Sequence, residues 1–311
     1  LKLFDVDFRC FYLKPPRNWA PKTYSDGTFT DEWGVRLRMV GDYAEMVDHP
    51  LKDATVDDLK EYRWPEPHAP GRTDDLEEDI KETYETTDYA IDFFPDVTIF
   101  ERCWYLRGLP SLLRDFYVNP GFAENLLDKV LETQKGIFEE TSRIGKYFHI
   151  VRIYDDLASQ ESTIMNPALY RRFVKPRHRE LIRFIKARTK AKVLYHTCGA
   201  AYPLINDLIE IGVDVLNSMQ PRAYGMGESA KLNQDFGGRI SFLGGIDIQH
   251  TLPFGSPPEV EEEVKKRIRG FAPGGGYILA TAHNIQADVP PENIIALFSA
   301  AKKYGKFPRT K

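Results

Sequence analysis

From Asp88 towards the C-terminus, short apolar segments with β-prone residues alternate with amphipathic helical patterns. A strand followed by a helix is the repeating unit of parallel α/β folds, and apolar strands without polar alternation are typical of sheets buried on both faces. We therefore predict an α/β fold, a single (β/α)8 TIM-type barrel domain over residues 1–311, with a doubly wound sheet as the alternative. The predicted strands are 97–100, 148–154, 193–198, 213–216, 240–243 and 277–279.

Residues 13–87 interrupt this repeat and are predicted to be an insertion within the barrel domain. The dipeptide Asp26-Gly27 lies between β-prone residues, which predicts a hairpin that forms a flap, with residues 33–38 as a following strand. Residues 74–86 are acidic and have apolar residues at helical spacing. This pattern predicts a helix with one solvated face.

Composition excludes several classes of function. The 311-residue chain is 42% hydrophobic and has a net charge of -4, so no overall basic field favours binding to nucleic acid or to a membrane surface. No apolar run approaches the roughly 18 residues of a membrane span. Three scattered cysteines favour a reducing compartment. We predict a soluble, cytoplasmic protein that acts on a small molecule, and a homo-oligomer is compatible with the sequence. Because the chain begins at Leu1 without a methionine, we also expect a natural N-terminal segment to be missing.

The predicted strands end in polar residues. In parallel α/β folds the active site lies at the C-terminal ends of the strands, where each strand leads into the following helix. This holds for a barrel and for a doubly wound sheet alike. Any one of these residues alone has a structural explanation, but a group of them at one edge favours a site. The candidates are Glu101, Arg102, Arg152, Asp155, Asp156, His196, Cys198, Asn217, Gln220, Asp247 and His283.

The strand over 193–198 carries the strongest chemical signal. Alternate side chains of a strand share a face, so His196 and Cys198 point the same way, and Gly199 then allows a turn. An imidazole nitrogen and a thiolate sulfur suit zinc, which needs at least one further ligand from elsewhere in the chain. The alternative is a hydrogen-bonded histidine beside a small buried thiol.

Four stretches of the sequence resemble the uroporphyrinogen decarboxylase superfamily and, within it, the branch of corrinoid-dependent zinc methyltransferases. The resemblance covers essentially the whole chain and implies a (β/α)8 barrel. It also implies that a leading helical segment is absent here. The stretches that carry the resemblance are Tyr-His-Thr-Cys-Gly at 195–199, Gly-Val-Asp-Val-Leu-Asn at 212–217, Phe-Leu-Gly-Gly-Ile-Asp at 242–247, and 274–294 with its Pro-Pro-Glu-Asn segment.

The resemblance implies a set of zinc ligands. In the zinc methyltransferases of this superfamily the metal is held by a His-x-Cys pair and by a distant cysteine that precedes a Pro-x-Glu-Asn segment. His196 and Cys198 match the pair, whereas His283 stands at the position of the distant cysteine. Glu101 or Asp247 is the candidate fourth ligand. Two neutral histidines and one thiolate leave a net positive and more Lewis-acidic zinc centre than two thiolates do.

The resemblance further implies transfer of a methyl group between a small O-, N- or S-methylated substrate and a corrinoid, methylcobalamin, on a partner protein. In this hypothesis proton transfer falls to an acidic side chain within about 3 Å of the departing atom. The roles are assigned as follows: Glu101, Asp155 and Asp156 as catalytic acids or bases, Arg152, Asn217 and Gln220 as substrate-binding groups, and Trp104 and Tyr154 as an aromatic wall.

Two other functions stay open at this point. The true uroporphyrinogen decarboxylases resemble the chain in fold and use no metal, and Asp155, Asp156, Arg152 and Arg222 are the residues that would serve such a cofactor-free decarboxylation. A His-x-Cys pair has no role in that chemistry. The second alternative is a barrel without catalytic activity that binds a corrinoid or a metal as a carrier.

Overall fold

The computed structural model describes residues 2–41 and 43–306. These residues belong to two compact units, which are described separately. The first unit comprises Leu1–Asp7, Asp156–Pro167 and Leu194–Lys311, and the second comprises Phe8–Asp155 and Ala168–Val193. Within the described ranges, no helix has both the length and the apolar character needed to cross a membrane.

The strands and helices follow one another largely as the sequence pattern predicts. The strands are β1 (Phe8–Tyr12), β2 (Phe29–Thr30), β3 (Arg36–Val40), β4 (Tyr43–Asp48), β5 (Ala90–Phe94), β6 (Ile150–Tyr154), β7 (Lys192–His196), β8 (Val215–Asn217), β9 (Ser241–Ile246) and β10 (Tyr277–Thr281). The α-helices are α1 (Asp58–Glu61), α2 (Leu76–Thr86), α3 (Phe100–Arg107), α4 (Leu109–Val118), α5 (Pro120–Glu139), α6 (Pro167–Leu169), α7 (Lys175–Lys186), α8 (Ile205–Ile211), α9 (Ser229–Phe236), α10 (Thr251–Phe254), α11 (Pro257–Phe271) and α12 (Pro291–Tyr304). A π-helical turn, Tyr170–Val174, joins α6 to α7.

In the second unit, β1, β5 and β6 pair in parallel in that order, with Cys10 beside Asp92 and Asp92 beside Ile150. The helices α3, α4, α5 and α7 pack against one another, and α2 packs against β5. Ile91, Asp92 and Phe93 of β5 are all fully buried, so both faces of this strand are covered.

One predicted strand of this unit is wrong. Residues 97–100 were expected to be a strand, but β5 lies earlier, at Ala90–Phe94, and Phe100 begins α3. Pro95 has no backbone N–H and cannot continue a hydrogen-bonded ladder, so the strand ends before it. Both segments are apolar, and the sequence pattern alone does not distinguish the strand from the start of the helix.

The predicted hairpin is confirmed. The backbone N–H of Tyr24 donates to Thr28 O at 2.8 Å, and Gly27 takes the positive φ of +79° that the turn requires. The three strands β2, β3 and β4 then form a separate antiparallel sheet. The acidic helix is confirmed as α2. Residues 13–87 therefore supply an antiparallel sheet and two helices instead of a parallel strand.

In the first unit, β7 from Leu194 onward, β8, β9 and β10 pair in parallel in that order. The helices α11 and α12 cover an apolar cluster in which each fully buried aliphatic side chain contributes roughly 1.5–3 kcal/mol. Ser256 caps α11, because its side chain and backbone N–H both bond to Glu259 Oε2 at 2.7 Å. The cluster consists of Ile246, Leu252, Val260, Val264, Val289, Leu297 and Ala300.

The α/β class with parallel strands is thus confirmed. The described residues form seven parallel strands, four with their main pairings in the first unit and three in the second. A closed barrel needs eight, so the (β/α)8 closure is not established. Between β1 and β5 the described residues form the antiparallel strands β2, β3 and β4 and add no strand to the parallel sheet.

Candidate metal centre

The strand β7 delivers the candidate ligands as its alternation predicts. His196 is the last residue of β7, and Cys198 follows it on the same side, with its Sγ at 3.4 Å from His196 Nε2. Thr197 points the other way, where its Oγ1 accepts a hydrogen bond from the backbone N–H of Leu157 at 3.0 Å. Gly199 is required at the turn, because its φ is +83° and a Cβ there would lie 2.3 Å from Ser159 O.

His283 completes a group of three ligand-type side chains. It lies two residues beyond β10, and the backbone N–H of the intervening Ala282 donates to Ile246 O at 2.9 Å. One ligand atom each from His196, Cys198 and His283 lies within 4.8 Å of the others. The two imidazole rings meet edge to face, with centroids 5.6 Å apart. All three side chains are partly exposed, so the group opens towards solvent.

Asn217 orients His196. The strands β7 and β8 place the two residues side by side, and His196 Nδ1 lies 2.5 Å from Asn217 Oδ1. The amide nitrogen of Asn217 donates to Leu243 O at 3.0 Å. Asn217 is 4% exposed, so this amide is held between a strand carbonyl and the ring of the candidate ligand.

Two other predicted site residues hold the loop that carries Cys198. Asp156 Oδ1 accepts the backbone N–H of Cys198 at 2.8 Å, and Gln220 Oε1 accepts the N–H of Gly199 at 3.0 Å. Gln220 Nε2 also donates to Gln249 Oε1 at 2.9 Å. The first unit therefore brings Asp156, Asn217 and Gln220 together around the ligand loop.

Asp247, the candidate fourth ligand, is engaged elsewhere in the first unit. Its Oδ2 accepts from Arg222 Nε at 2.8 Å, and its Oδ1 accepts the backbone N–H of Gln249 at 2.8 Å. Burial raises the pKa of Asp247, but the hydrogen bonds from Arg222 and from the backbone outweigh burial and lower the pKa below its ordinary value. Among the described residues, Asp247 does not join the group of three.

Asp247 and Arg222 lie instead at a cleft of about 760 Å³ in the first unit. The cleft is lined by charges of both signs, mainly from α11, including the ion pair of Arg267 and Glu263. His196, Cys198 and His283 are not among its lining residues.

Asp155 lies in the second unit and is 1% exposed. Its carboxylate accepts the backbone N–H groups of Ile99, Phe100 and Glu101 at 2.8, 3.0 and 2.6 Å. It also accepts the hydroxyl of Thr98 and lies 2.7 Å from His178 Nε2. These bonds place a negative charge at the N-terminus of α3, where it satisfies N–H groups that have no partner within the helix.

The remaining predicted residues also lie in the second unit. Glu101 Oε1 accepts the hydroxyl of Tyr105 at 2.6 Å. Arg152 forms an ion pair with the fully buried Asp92. Tyr154 donates its hydroxyl to Asp96, and burial raises the pKa of this phenol.

The chain as a whole matches a known family. The profile of uroporphyrinogen decarboxylase (URO-D) matches residues 31–304. The chain belongs to the uroporphyrinogen decarboxylase family. This confirms the resemblance seen in the motifs at 195–199 and 242–247.

Relatives within the uroporphyrinogen decarboxylase family carry two kinds of name. A methylated-thiol–coenzyme M methyltransferase of Methanosarcina mazei is 24% identical over 257 residues, which are 82% of this chain and 65% of that protein. A uroporphyrinogen decarboxylase of Xanthomonas euvesicatoria is 28% identical over 157 residues, 46% of this chain and 40% of that enzyme. The chain thus spans less than two thirds of the length of these relatives. A solved methyltransferase from Methanosarcina mazei shares the fold, with a TM-score of 0.64 and 22% identity over 88% of this chain and 77% of that one.

Sequence reasoning missed several residues of this family member. His178 contacts Asp155 from α7, where its neighbours are Arg177 and Arg179, and no local pattern distinguishes it from them. Arg102 was counted only as a strand-end candidate, but it is buried, pairs with Asp31 at 2.9 Å and lies over the ring of Trp33. The available signal was an arginine followed directly by the apolar residues Cys103 and Trp104, because a charge in such a setting is buried only when it is paired.

Proposed function

We propose that this chain is a zinc-dependent methyltransferase, which moves a methyl group between a small methylated substrate and a corrinoid on a partner protein. The observation that carries this proposal is the convergence of His196, Cys198 and His283 in one group. The Methanosarcina relative, whose name is that of a methyltransferase, supports the choice of branch within the family. Closure of the parallel strands as a (β/α)8 barrel is part of the same proposal.

The donor set fits zinc. Ligands at about 2.05 Å for nitrogen and 2.3 Å for sulfur, arranged tetrahedrally, lie roughly 3.5 Å apart. The observed separation of His196 Nε2 and Cys198 Sγ is 3.4 Å. Catalytic zinc sites have three protein ligands and one open position, whereas structural sites have four protein ligands. Three ligand-type side chains that open to solvent agree with the catalytic arrangement.

Each residue then has a defined task. When bound, zinc would supply a Lewis acid that withdraws electron density from the heteroatom carrying the methyl group. His196, Cys198 and His283 would hold the metal, and Asp156 and Gln220 keep the ligand loop in place. We keep Glu101 as the proposed proton donor to the departing atom, because its carboxylate is partly exposed and accepts a hydrogen bond from the hydroxyl of Tyr105.

The ligand set also favours a class of substrate. Zinc with one thiolate and two neutral imidazoles carries a net charge of +1, whereas a second thiolate would make it neutral. A more positive centre polarises a neutral ether oxygen or amine nitrogen more strongly. We therefore propose an O-methyl or N-methyl donor, in contrast to the methylated thiol in the name of the Methanosarcina relative.

The test is the metal content of the purified chain, measured by elemental analysis, together with methyl transfer from a panel of methoxylated aromatics, methylamines, methanol and methylthiols. Transfer to reduced cobalamin is followed by the change in its visible absorbance. We expect close to one zinc per chain and turnover of an oxygen or nitrogen donor. Protein that stays free of metal after zinc is supplied would refute the proposal.

The variant His283→Cys tests the charge argument. Cysteine keeps a zinc ligand at this position but removes the net positive charge of the centre. We expect zinc to remain bound, while turnover of the oxygen or nitrogen donor falls by at least about tenfold relative to that of a methylthiol. The ratio of kcat/KM values for the two donors is the measurement. An unchanged ratio at full zinc occupancy would mean that ligand charge does not select the donor.

A further inference from the structure

The hydrogen bonds of Asn217 determine where one proton of the His196 ring lies. The backbone oxygen of Leu243 can only accept, so the group of Asn217 that lies 3.0 Å from it must be the amide N–H2. The carbonyl Oδ1 of Asn217 therefore faces His196 Nδ1, at 2.5 Å. Because Oδ1 can only accept as well, Nδ1 must carry the proton.

This arrangement determines which nitrogen of His196 has a free lone pair. In a neutral imidazole one nitrogen donates and the other accepts, so a proton on Nδ1 leaves the lone pair on Nε2. Nε2 is the nitrogen that lies 3.4 Å from Cys198 Sγ, on the side of the candidate metal. The opposite tautomer would direct an N–H at that position and a lone pair at the lone pairs of Asn217.

We propose that Asn217 is a positioning residue that fixes the tautomer and ring orientation of His196 for metal binding. Asn217 was predicted to bind substrate, but it is only 4% exposed, and both the oxygen and the nitrogen of its side-chain amide are hydrogen-bonded to groups of the protein. The strands β7 and β8 hold it at this place, because their register pairs His196 with Asn217 directly. The part of this inference that concerns metal affinity rests on the proposed function, whereas the part that concerns the tautomer does not.

Two substitutions of Asn217 distinguish the role of its acceptor oxygen from the role of its donor nitrogen. Leucine has a similar shape and cannot accept a hydrogen bond, so Asn217→Leu removes the partner that holds the tautomer. We expect zinc affinity to fall by about 10–100-fold, the range seen when the outer hydrogen-bond partner of a ligating histidine is removed. Asn217→Asp keeps an acceptor for Nδ1–H but loses the bond to Leu243 O, and should recover affinity to within a few-fold of the unmodified chain.

Asn293 provides a matched control. It is also a buried asparagine, and its amide nitrogen donates to Leu252 O at 2.8 Å and to Gly255 O at 2.7 Å, in a part of the first unit that carries none of the three ligands. Asn293→Leu should lower the melting temperature without changing zinc affinity. A purely structural role for Asn217 would instead make its leucine and aspartate variants equally deficient.

The experiment is a zinc titration of the unmodified chain and the three variants in competition with a chromophoric chelator. It is combined with 1H–15N correlation spectra of the imidazole groups in the metal-free chain, with His196 assigned from a His196→Gln variant. A proton on Nδ1 of His196, with the predicted order of affinities, supports the inference. A neutral His196 ring protonated on Nε2, or equal affinities for the leucine variant and the unmodified chain, would overturn it. If the unmodified chain binds no zinc, the proposed function fails, and the spectra still decide the tautomer.

Discussion

Replacing Cys198 by alanine is expected to remove bound zinc and to lower methyl-transfer turnover by about 10³-fold or more. The thiolate is the one anionic ligand among the three side chains. Its loss would remove the Lewis acid, which contributes several kcal/mol to stabilising a transition state, and each 1.36 kcal/mol corresponds to a tenfold change in rate. The measurements are zinc per chain and kcat with the best donor from the panel.

Cys10→Ala is the matched control for this variant. Cys10 is exposed, lies in β1 of the second unit and belongs to no group of metal-type ligands among the described residues. This variant should keep full zinc content and turnover. Retention of zinc and of activity by Cys198→Ala would contradict the metal centre that we propose.

The same pair of variants addresses the alternative of a carrier without catalytic activity. In such a protein, Cys198→Ala would leave binding of a corrinoid partner largely intact, and the unmodified chain would show no turnover to lose. Measured methyl transfer that depends on Cys198 would exclude this alternative.

The substitution Asp155→Asn is expected to lower the free energy of unfolding by about 3–5 kcal/mol. The carboxylate of Asp155 accepts bonds from three backbone N–H groups and the hydroxyl of Thr98 and contacts His178, all in a buried environment. The amide of asparagine would point its own N–H groups at the surrounding hydrogen-bond donors, so that some of these donors would be buried without a partner. It would also remove the negative charge that stabilises the N-terminus of α3. Denaturation in urea, followed by circular dichroism, measures the loss.

Asp74→Asn is the control for this prediction. Asp74 forms an ion pair with Arg17 in which both side chains are well exposed, so solvent screens the charges and the denaturation midpoint should hardly move.

The comparison also tests the cofactor-free decarboxylase alternative. In that case the folded fraction of Asp155→Asn would show no turnover, whereas a purely structural Asp155 leaves a folded fraction that still turns over substrate.

The local parts of the site could be predicted from the sequence. Side chains alternate along any strand, so His196 and Cys198 had to share a side once 193–198 was identified as a strand. Gly199 marked the turn, and Asp26-Gly27 marked the hairpin, since both depend on backbone geometry over a few residues. His283 was found only through the spacing of a family motif, because no local pattern links it to a residue 87 positions earlier.

The partners of the buried polar residues were decided by tertiary structure. All four of these residues end or follow predicted strands, and all four were predicted to be site residues: Asp155 and Asp156 as catalytic groups, Asn217 and Gln220 as substrate-binding groups. Their hydrogen bonds depend on which backbone groups from distant segments lie close to them in the folded chain and still need a hydrogen-bond partner. The periodic patterns that predict strands and helices contain no information about this. Sequence by itself therefore determined the repeating α/β pattern and the ligand pair on β7. Packing determined that Asp155 stabilises a helix end and that Asn217 contacts His196, because a buried donor or acceptor must find its partner wherever the fold supplies one.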